Sequence, residues 1–78
     1  MKNLVCNDIN EFKNYLEISK DADFALDLRE FKVFDGLKFA VLSSAYFYQK
    51  HPKEKLKCYG GQIKNLISSF NVNNLEFI

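Results

Sequence analysis

The chain has 78 residues and a mass of 9.1 kDa, the size of one small domain and too short for two. Apolar residues make up 47% and aromatics 15%, with eight Phe and four Tyr, a composition that excludes a disordered tail or a low-complexity segment. Eleven basic against ten acidic residues leave a net charge of +1, which is not the basic footprint of a nucleic-acid binder.

Leu4-Val5-Cys6 is a short apolar run and predicts a first strand within residues 2–6. Asp8 follows, with Glu11 three residues later, the capping-box spacing that opens a helix. Ile9, Phe12, Tyr15 and Leu16 recur at steps of three and four, so residues 9–19 have one apolar face. Lys20-Asp21-Ala22-Asp23 breaks that face. Phe24-Ala25-Leu26-Asp27-Leu28 then predicts a strand with Phe24, Leu26 and Leu28 on one side. Asp35 is expected to cap a second helix running from Gly36 to about Lys50. On that helix Leu37, Val41, Ala45 and Tyr48 form one apolar stripe and Phe39, Leu42 and Tyr46 another, and Pro52 closes it. Two stripes are more than one core contact requires. Lys55-Leu56-Lys57-Cys58-Tyr59 alternates as a strand, with Leu56 and Cys58 inward. Gly60-Gly61 forms a tight turn into a helix carrying Ile63, Leu66, Ile67 and Phe70. Asn71 is expected as its left-handed end and Leu75–Ile78 as a final strand.

The predicted order is β-α-β-α-β-α-β. Single helices between strands call for right-handed crossovers and a mainly parallel sheet. The expected fold is therefore a single α/β domain over residues 1–78, with a four-stranded, mostly parallel sheet and three helices. No apolar run approaches the roughly 20 residues of a membrane span, and the start lacks the pattern of a signal peptide. A cytoplasmic location without membrane insertion is expected. Cys6 and Cys58 are too few and too far apart for a disulfide framework and read as reduced core residues.

The stretch Asp27-Leu28-Arg29-Glu30-Phe31-Lys32-Val33-Phe34-Asp35-Gly36-Leu37-Lys38-Phe39-Ala40-Val41-Leu42 resembles the middle of a STAS domain, the module of anti-sigma-factor antagonists and sulfate transporters. Such domains typically run Asp-Leu, an apolar turn, then Asp-Ser-Ser-Gly-Leu-Gly-x-Leu. Here Asp27-Leu28 ends the strand, Asp35 takes the motif Asp position, and Val41-Leu42 match its helical end. The resemblance extends over residues 24–78 in element order and spacing, with Leu56–Tyr59 as the next strand and Ile63–Phe70 and Asn73–Ile78 as the closing helix and strand. In the family's switching members a Ser or Thr after the motif Asp is phosphorylated by a partner kinase. That position here is Gly36, followed by Leu37 and Lys38, so the switch does not carry over.

The resemblance implies a protein partner at the start of the second helix, on a surface of Asp35, Gly36, Leu37, Lys38, Phe39, Leu42 and Tyr46. Exposed there, Leu37 and Phe39 make an apolar anchor; the plain alternative is that Phe39 and Tyr46 fill the core. The function expected is a non-catalytic interaction or regulatory module, similar to an anti-sigma factor antagonist without its phosphorylation switch. The alternatives are a small ligand-binding or accessory subunit of a larger assembly, such as a lipid-transport STAS component, and a homodimer paired through helix 36–50.

Catalytic sets are weak. His51 is the only imidazole, and an activated Cys58 needs a base within hydrogen-bond reach. Cys6, Cys58 and His51 lack the paired spacing of zinc sites. Asp27 and Asp35 lie where open α/β sheets place ligands, yet an amide-bonding loop residue and a helix cap account for them. Gly60-Gly61 lacks the spacing of a phosphate loop. The aromatic and lysine-rich run Tyr46–Lys57 has the residue types that hold nucleic acid, but on a helix face and the loop after it. No cofactor, metal or nucleic acid is expected.

Overall fold

The computed structural model describes all of residues 1–78. Four strands, β1 (Lys2–Leu4), β2 (Phe24–Asp27), β3 (Leu56–Tyr59) and β4 (Leu75–Phe77), alternate with three helices. The helices are α1 (Ile9–Ile18), α2 (Val33–Lys50) and α3 (Gly61–Ile67), the last running into a 3-10 turn at Ser68–Phe70. The strands form one sheet in the order β1-β2-β3-β4, and every neighbouring pair is parallel. The βαβαβαβ order and the four-stranded sheet expected from the residue pattern are the ones the chain adopts.

Each helix joins two adjacent parallel strands, and the sheet advances by one strand each time. Right-handed crossovers then put all three helices on the same face. Side-chain alternation agrees. Leu4, Phe24, Leu26, Leu56 and Cys58 share one core with Phe12 and Leu16 of α1, Leu37, Phe39, Ala40 and Phe47 of α2, and Ile63 and Ile67 of α3. The alternate positions Asn3, Ala25, Asp27, Lys57, Tyr59 and Glu76 belong to the opposite face and to no part of that core. Parallel sheets usually have both faces covered; here one face carries no helix. The core itself is aromatic: Phe24 meets Phe12 at 6.2 Å and Phe47 at 6.0 Å, both edge to face, the arrangement ring quadrupoles favour.

The capping box opens α1 as the spacing requires. The Glu11 backbone N–H donates to the Asp8 carboxylate at 3.0 Å, satisfying one of the orphaned first-turn donors, and the Glu11 carboxylate reaches back to accept from the Asn7 backbone N–H at 3.2 Å, just before the cap. At the other end of the chain Asn71 has φ 54°, the left-handed end anticipated for the last helix, tolerated because Asn visits that region more readily than most residues.

The start of α2 differs from expectation. The helix begins at Val33 rather than Gly36, with Lys32 at the cap position and no side-chain cap bond. The Gly36 amide already donates to the Lys32 carbonyl at 2.8 Å. Asp35 therefore lies in the first turn, where its charge meets the positive end of the helix dipole instead of capping it. Gly36 is buried at the contact of α2 with α3: a Cβ there would stand 3.2 Å from the Phe31 Cβ and 3.8 Å from the Ile63 Cγ2, so a larger residue would have to push Phe31 back by a few tenths of an ångström. The first strand occupies the leading part of the expected residues 2–6, at Lys2–Leu4, with Lys2 paired to Phe24 and Leu4 to Leu26. Cys6 is buried just beyond it.

Candidate functional site

Eighteen residues long, α2 is the helix on which the residues with partner-binding character were expected. Its buried side is Gly36, Leu37, Phe39, Ala40, Ser43, Ser44 and Phe47. Leu37 is 8% exposed and Phe39 6%, so the apolar anchor expected from these two is absent from the surface. Packing gives the reason: the Phe39 ring lies 4.9 Å from Phe31 and 6.4 Å from Phe12, closing the core between α1 and the loop after β2. Tyr46 is half-buried, with the Lys13 ammonium 4.8 Å from its ring centre. Of the seven expected residues, only Asp35, Lys38 and Leu42 are exposed.

The outward side of α2 carries apolar residues that the expected set omitted. Phe34 is 74% exposed and Tyr48 57%, beside Leu42 of the expected set at 49%. Phe34, Lys38, Val41, Ala45 and Tyr48 follow one another at steps of four and three, so they form one stripe on a helix. Val41, Ala45 and Tyr48 were expected on one stripe with Leu37; starting the helix at Gly36 left Phe34 in the preceding loop and outside it. Towards its carboxyl end the stripe runs into a groove of about 550 Å³ lined by Ala45, Tyr48, Gln49, Val72, Asn73 and Asn74 among others. The Asn74 amide anchors that rim by donating to the Ser44 carbonyl at 2.9 Å.

A second polar cluster lies on the helix-free face of the sheet. Asp27, at the end of β2, accepts from the Arg29 Nε at 3.0 Å and Nη2 at 2.8 Å, from the Arg29 backbone amide at 3.0 Å, and from the Asn3 amide at 3.3 Å. Arg29 in turn lies 4.9 Å from the centre of the Tyr59 ring. The hydrogen bonds from the Arg29 side chain hold the Asp27 carboxyl well below its usual range, against the opposing effect of burial. Such a carboxylate is fully engaged and has no proton to give or take near neutral pH. A small cleft of about 140 Å³ beside it is lined by Val5, Cys6, Asn7, Glu30 and Phe31. Asp35 is not among its lining residues, so the two aspartates considered together as a ligand site are not brought to one cleft.

The remaining candidates separate. Burial pushes the Cys58 thiol up to about 12, and burial together with Glu11 and Asp8 pushes Cys6 up to about 11, so both remain unreactive thiols. His51 stacks on Phe47 at 5.0 Å with its Nδ1 3.3 Å from Glu54, whereas the Cys58 thiol faces the Leu56 carbonyl at 3.9 Å. No group of three or more His, Cys, Asp or Glu side chains is placed to hold a metal ion. In the Tyr46–Lys57 run, Lys50 pairs with Glu17 at 3.0 Å, while Tyr46 and Tyr48 differ in burial. No helix is long and apolar enough to cross a membrane. No protein-family model matches the chain, and neither a curated protein nor a solved structure matches it.

Proposed function

We propose that this chain is a non-catalytic protein-interaction domain that docks through the exposed side of α2, in the manner of a STAS-like antagonist that lacks the phosphorylation switch. The observation that carries this is the exposure of Phe34, Leu42 and Tyr48 on a helix whose other side fills the core. Large apolar side chains held at the surface of a rigid helix, with a charged residue among them, have the character of an interface centre. The close packing of Gly36 against Phe31 and Ile63 supports a domain in which that position transmits no phosphorylation signal. A helix-borne surface also suits a chain whose thiols are protonated and whose buried carboxylate is occupied.

Affinity capture from a lysate of the source organism tests the proposal. A chain carrying Phe34→Asp and Leu42→Asp is expected to lose the proteins that the wild type retains, while its far-UV circular dichroism and melting remain those of the wild type. Identical capture by the two chains refutes the docking face.

A further inference from the structure

We infer that the groove between the carboxyl-terminal half of α2 and the loop Asn71–Asn74 binds a neutral saccharide, with the Tyr48 ring as its platform and carboxamides as its rim. At about 550 Å³ it is the largest cleft of the molecule and falls within the range of ligand sites, about 300–1,000 Å³. None of the eight residues lining it is charged, although charged residues make up 27% of the chain. The other clefts differ in this respect. Glu17, Lys20 and Lys50 line one, Lys13, Glu17 and Lys50 the next, and Asp27 and Glu30 the third. A groove without charge has no counter-ion for a phosphate, a carboxylate or an ammonium group, so the ligand it fits is uncharged.

Carboxamides take the place of charge. Gln49, Asn71, Asn73 and Asn74 line the groove, four of the ten Asn and Gln side chains in the sequence. Each carboxamide presents donors and an acceptor together, the same mixture that a row of sugar hydroxyls presents. Asn74 is fixed from two sides: its side-chain amide donates to the Ser44 carbonyl at 2.9 Å, and its own carbonyl accepts from the Leu56 amide at 2.7 Å. The carboxamides bonded within the chain are those of Asn3, Gln62 and Asn74. Those of Gln49, Asn71 and Asn73 are therefore open to a ligand.

The apolar wall is a separate observation. Tyr48 is 57% exposed at the groove, beside Ala45 and Val72. The other three tyrosine rings are occupied: Tyr15 meets Phe24 and the Lys2 ammonium, Tyr46 the Lys13 ammonium, and Tyr59 the Arg29 guanidinium. Tyr48 has neither an aromatic nor a cationic neighbour, so its faces are free. An aromatic face carries partial negative charge and the axial C–H groups of a pyranose ring partial positive charge. The two stack, while the sugar hydroxyls reach the carboxamide rim. Small Ala45, three residues before Tyr48 and on the same side of the helix, leaves room beside the ring for so flat a ligand. Neither Phe34 nor Leu42 lines the groove, so the site is independent of the two residues that test protein docking.

Titration of the isotope-labelled chain with D-glucose, D-galactose, N-acetyl-D-glucosamine and maltose, read by heteronuclear NMR, tests the site. Sugar is added to about 20 mM, because a ligand of this size in an open groove binds with a dissociation constant of roughly 1 mM. At least one sugar is expected to produce saturable shifts in the backbone signals of Tyr48, Val72 and Asn73 and in the side-chain amide signals of Gln49 and Asn73. Tyr48→Ala is expected to abolish those shifts and Tyr48→Phe to keep them, since the ring and not the hydroxyl forms the platform. Asn73→Ala is expected to weaken binding about fivefold, the effect of one hydrogen bond lost. Glucuronate and glucosamine, of opposite charge, are expected to bind no more tightly than glucose. No saturable shift with any of the four sugars, an unchanged titration of Tyr48→Ala, or tighter binding of glucuronate or glucosamine overturns the assignment. So does a blocked tetra-alanine peptide that shifts the same signals at lower concentration than any sugar, which makes the groove a peptide site. The chain carrying Phe34→Asp and Leu42→Asp is expected to titrate as the wild type does, so sugar binding and protein capture are read separately.

Discussion

Phe34 and Phe39 are the same side chain on the same helix, and they meet opposite surroundings. Phe39 closes the core between Phe12 and Phe31, whereas Phe34, five residues earlier and most of the way round the helix, stands in solvent. The sheet repeats the contrast between consecutive residues of β2: Leu26 lies in the helix-covered core, and Asp27 faces the side that carries no helix. In a domain this small three helices suffice to cover one face of four strands. Apolar residues beyond that capacity remain outside, and polar ones on the bare face must satisfy each other.

The sharpest way to break the contrast is to truncate both phenylalanines. Phe39→Ala is expected to cost about 3–5 kcal/mol, the range for emptying a buried aromatic site. Against a total stability of about 4–12 kcal/mol for a domain of this length, that loss moves the midpoint of urea denaturation far towards zero. Phe34→Ala is expected to change stability by no more than about 0.5 kcal/mol, as for other exposed positions. Comparable midpoints for the two variants would mean that the two sides of α2 are not distinguished as described. A smaller effect of opposite sign is expected further along the covered side. The Ser43 hydroxyl is buried without a hydrogen-bond partner, and such a group costs stability wherever it is left unmet. Ser43→Ala removes it and places a better helix former there, so the variant is expected to gain about 1 kcal/mol. A loss on that substitution would show that the hydroxyl has a partner in solution.

Local rules were legible where a single residue type decides the geometry. Asp8 with Glu11 announces α1, the alternation of Phe24, Leu26 and Leu28 announces the central strand, and Asn71 announces the left-handed turn before β4. The start of α2 was not legible, because Lys32-Val33-Phe34 offers no capping side chain and the nearby Asp35 has the chemistry of a cap without its position. The docking face depended on more than periodicity. A helical repeat shows which residues share a side, but with apolar residues on two sides it does not choose the inward one. That choice is made by tertiary partners, Phe12 and Phe31 for Phe39 and Ile63 for Gly36, which lie far away in the sequence or in a loop. The bare face of the sheet was hidden for a similar reason: strand order, and with it the side each helix occupies, is a property of pairings between distant segments.

The smallest expected effect belongs to that bare face and shows only against pH. Asp27 is held ionised chiefly by the Arg29 side chain, with the Arg29 amide and Asn3 assisting. Its carboxyl is depressed below the ordinary value of 3.8, so the unfolded chain binds a proton more readily than the folded one. The stabilisation is therefore complete above about pH 4 and is lost progressively as pH falls below that value, towards the folded-state value. Arg29→Ala removes the largest cause of the depression and leaves burial to push the carboxyl upwards. Urea midpoints of the wild type and of Arg29→Ala should differ by a constant amount at neutral pH and converge as the pH falls below 3.8. Curves that stay parallel down to pH 2 would show that the pair does not hold the bare face together. Asp27→Asn separates the charge from the shape: its amide keeps one acceptor for the Arg29 backbone N–H and loses the ion pair. Its midpoint should approach that of Arg29→Ala at neutral pH, and its pH dependence below 4 should be flatter than that of the wild type.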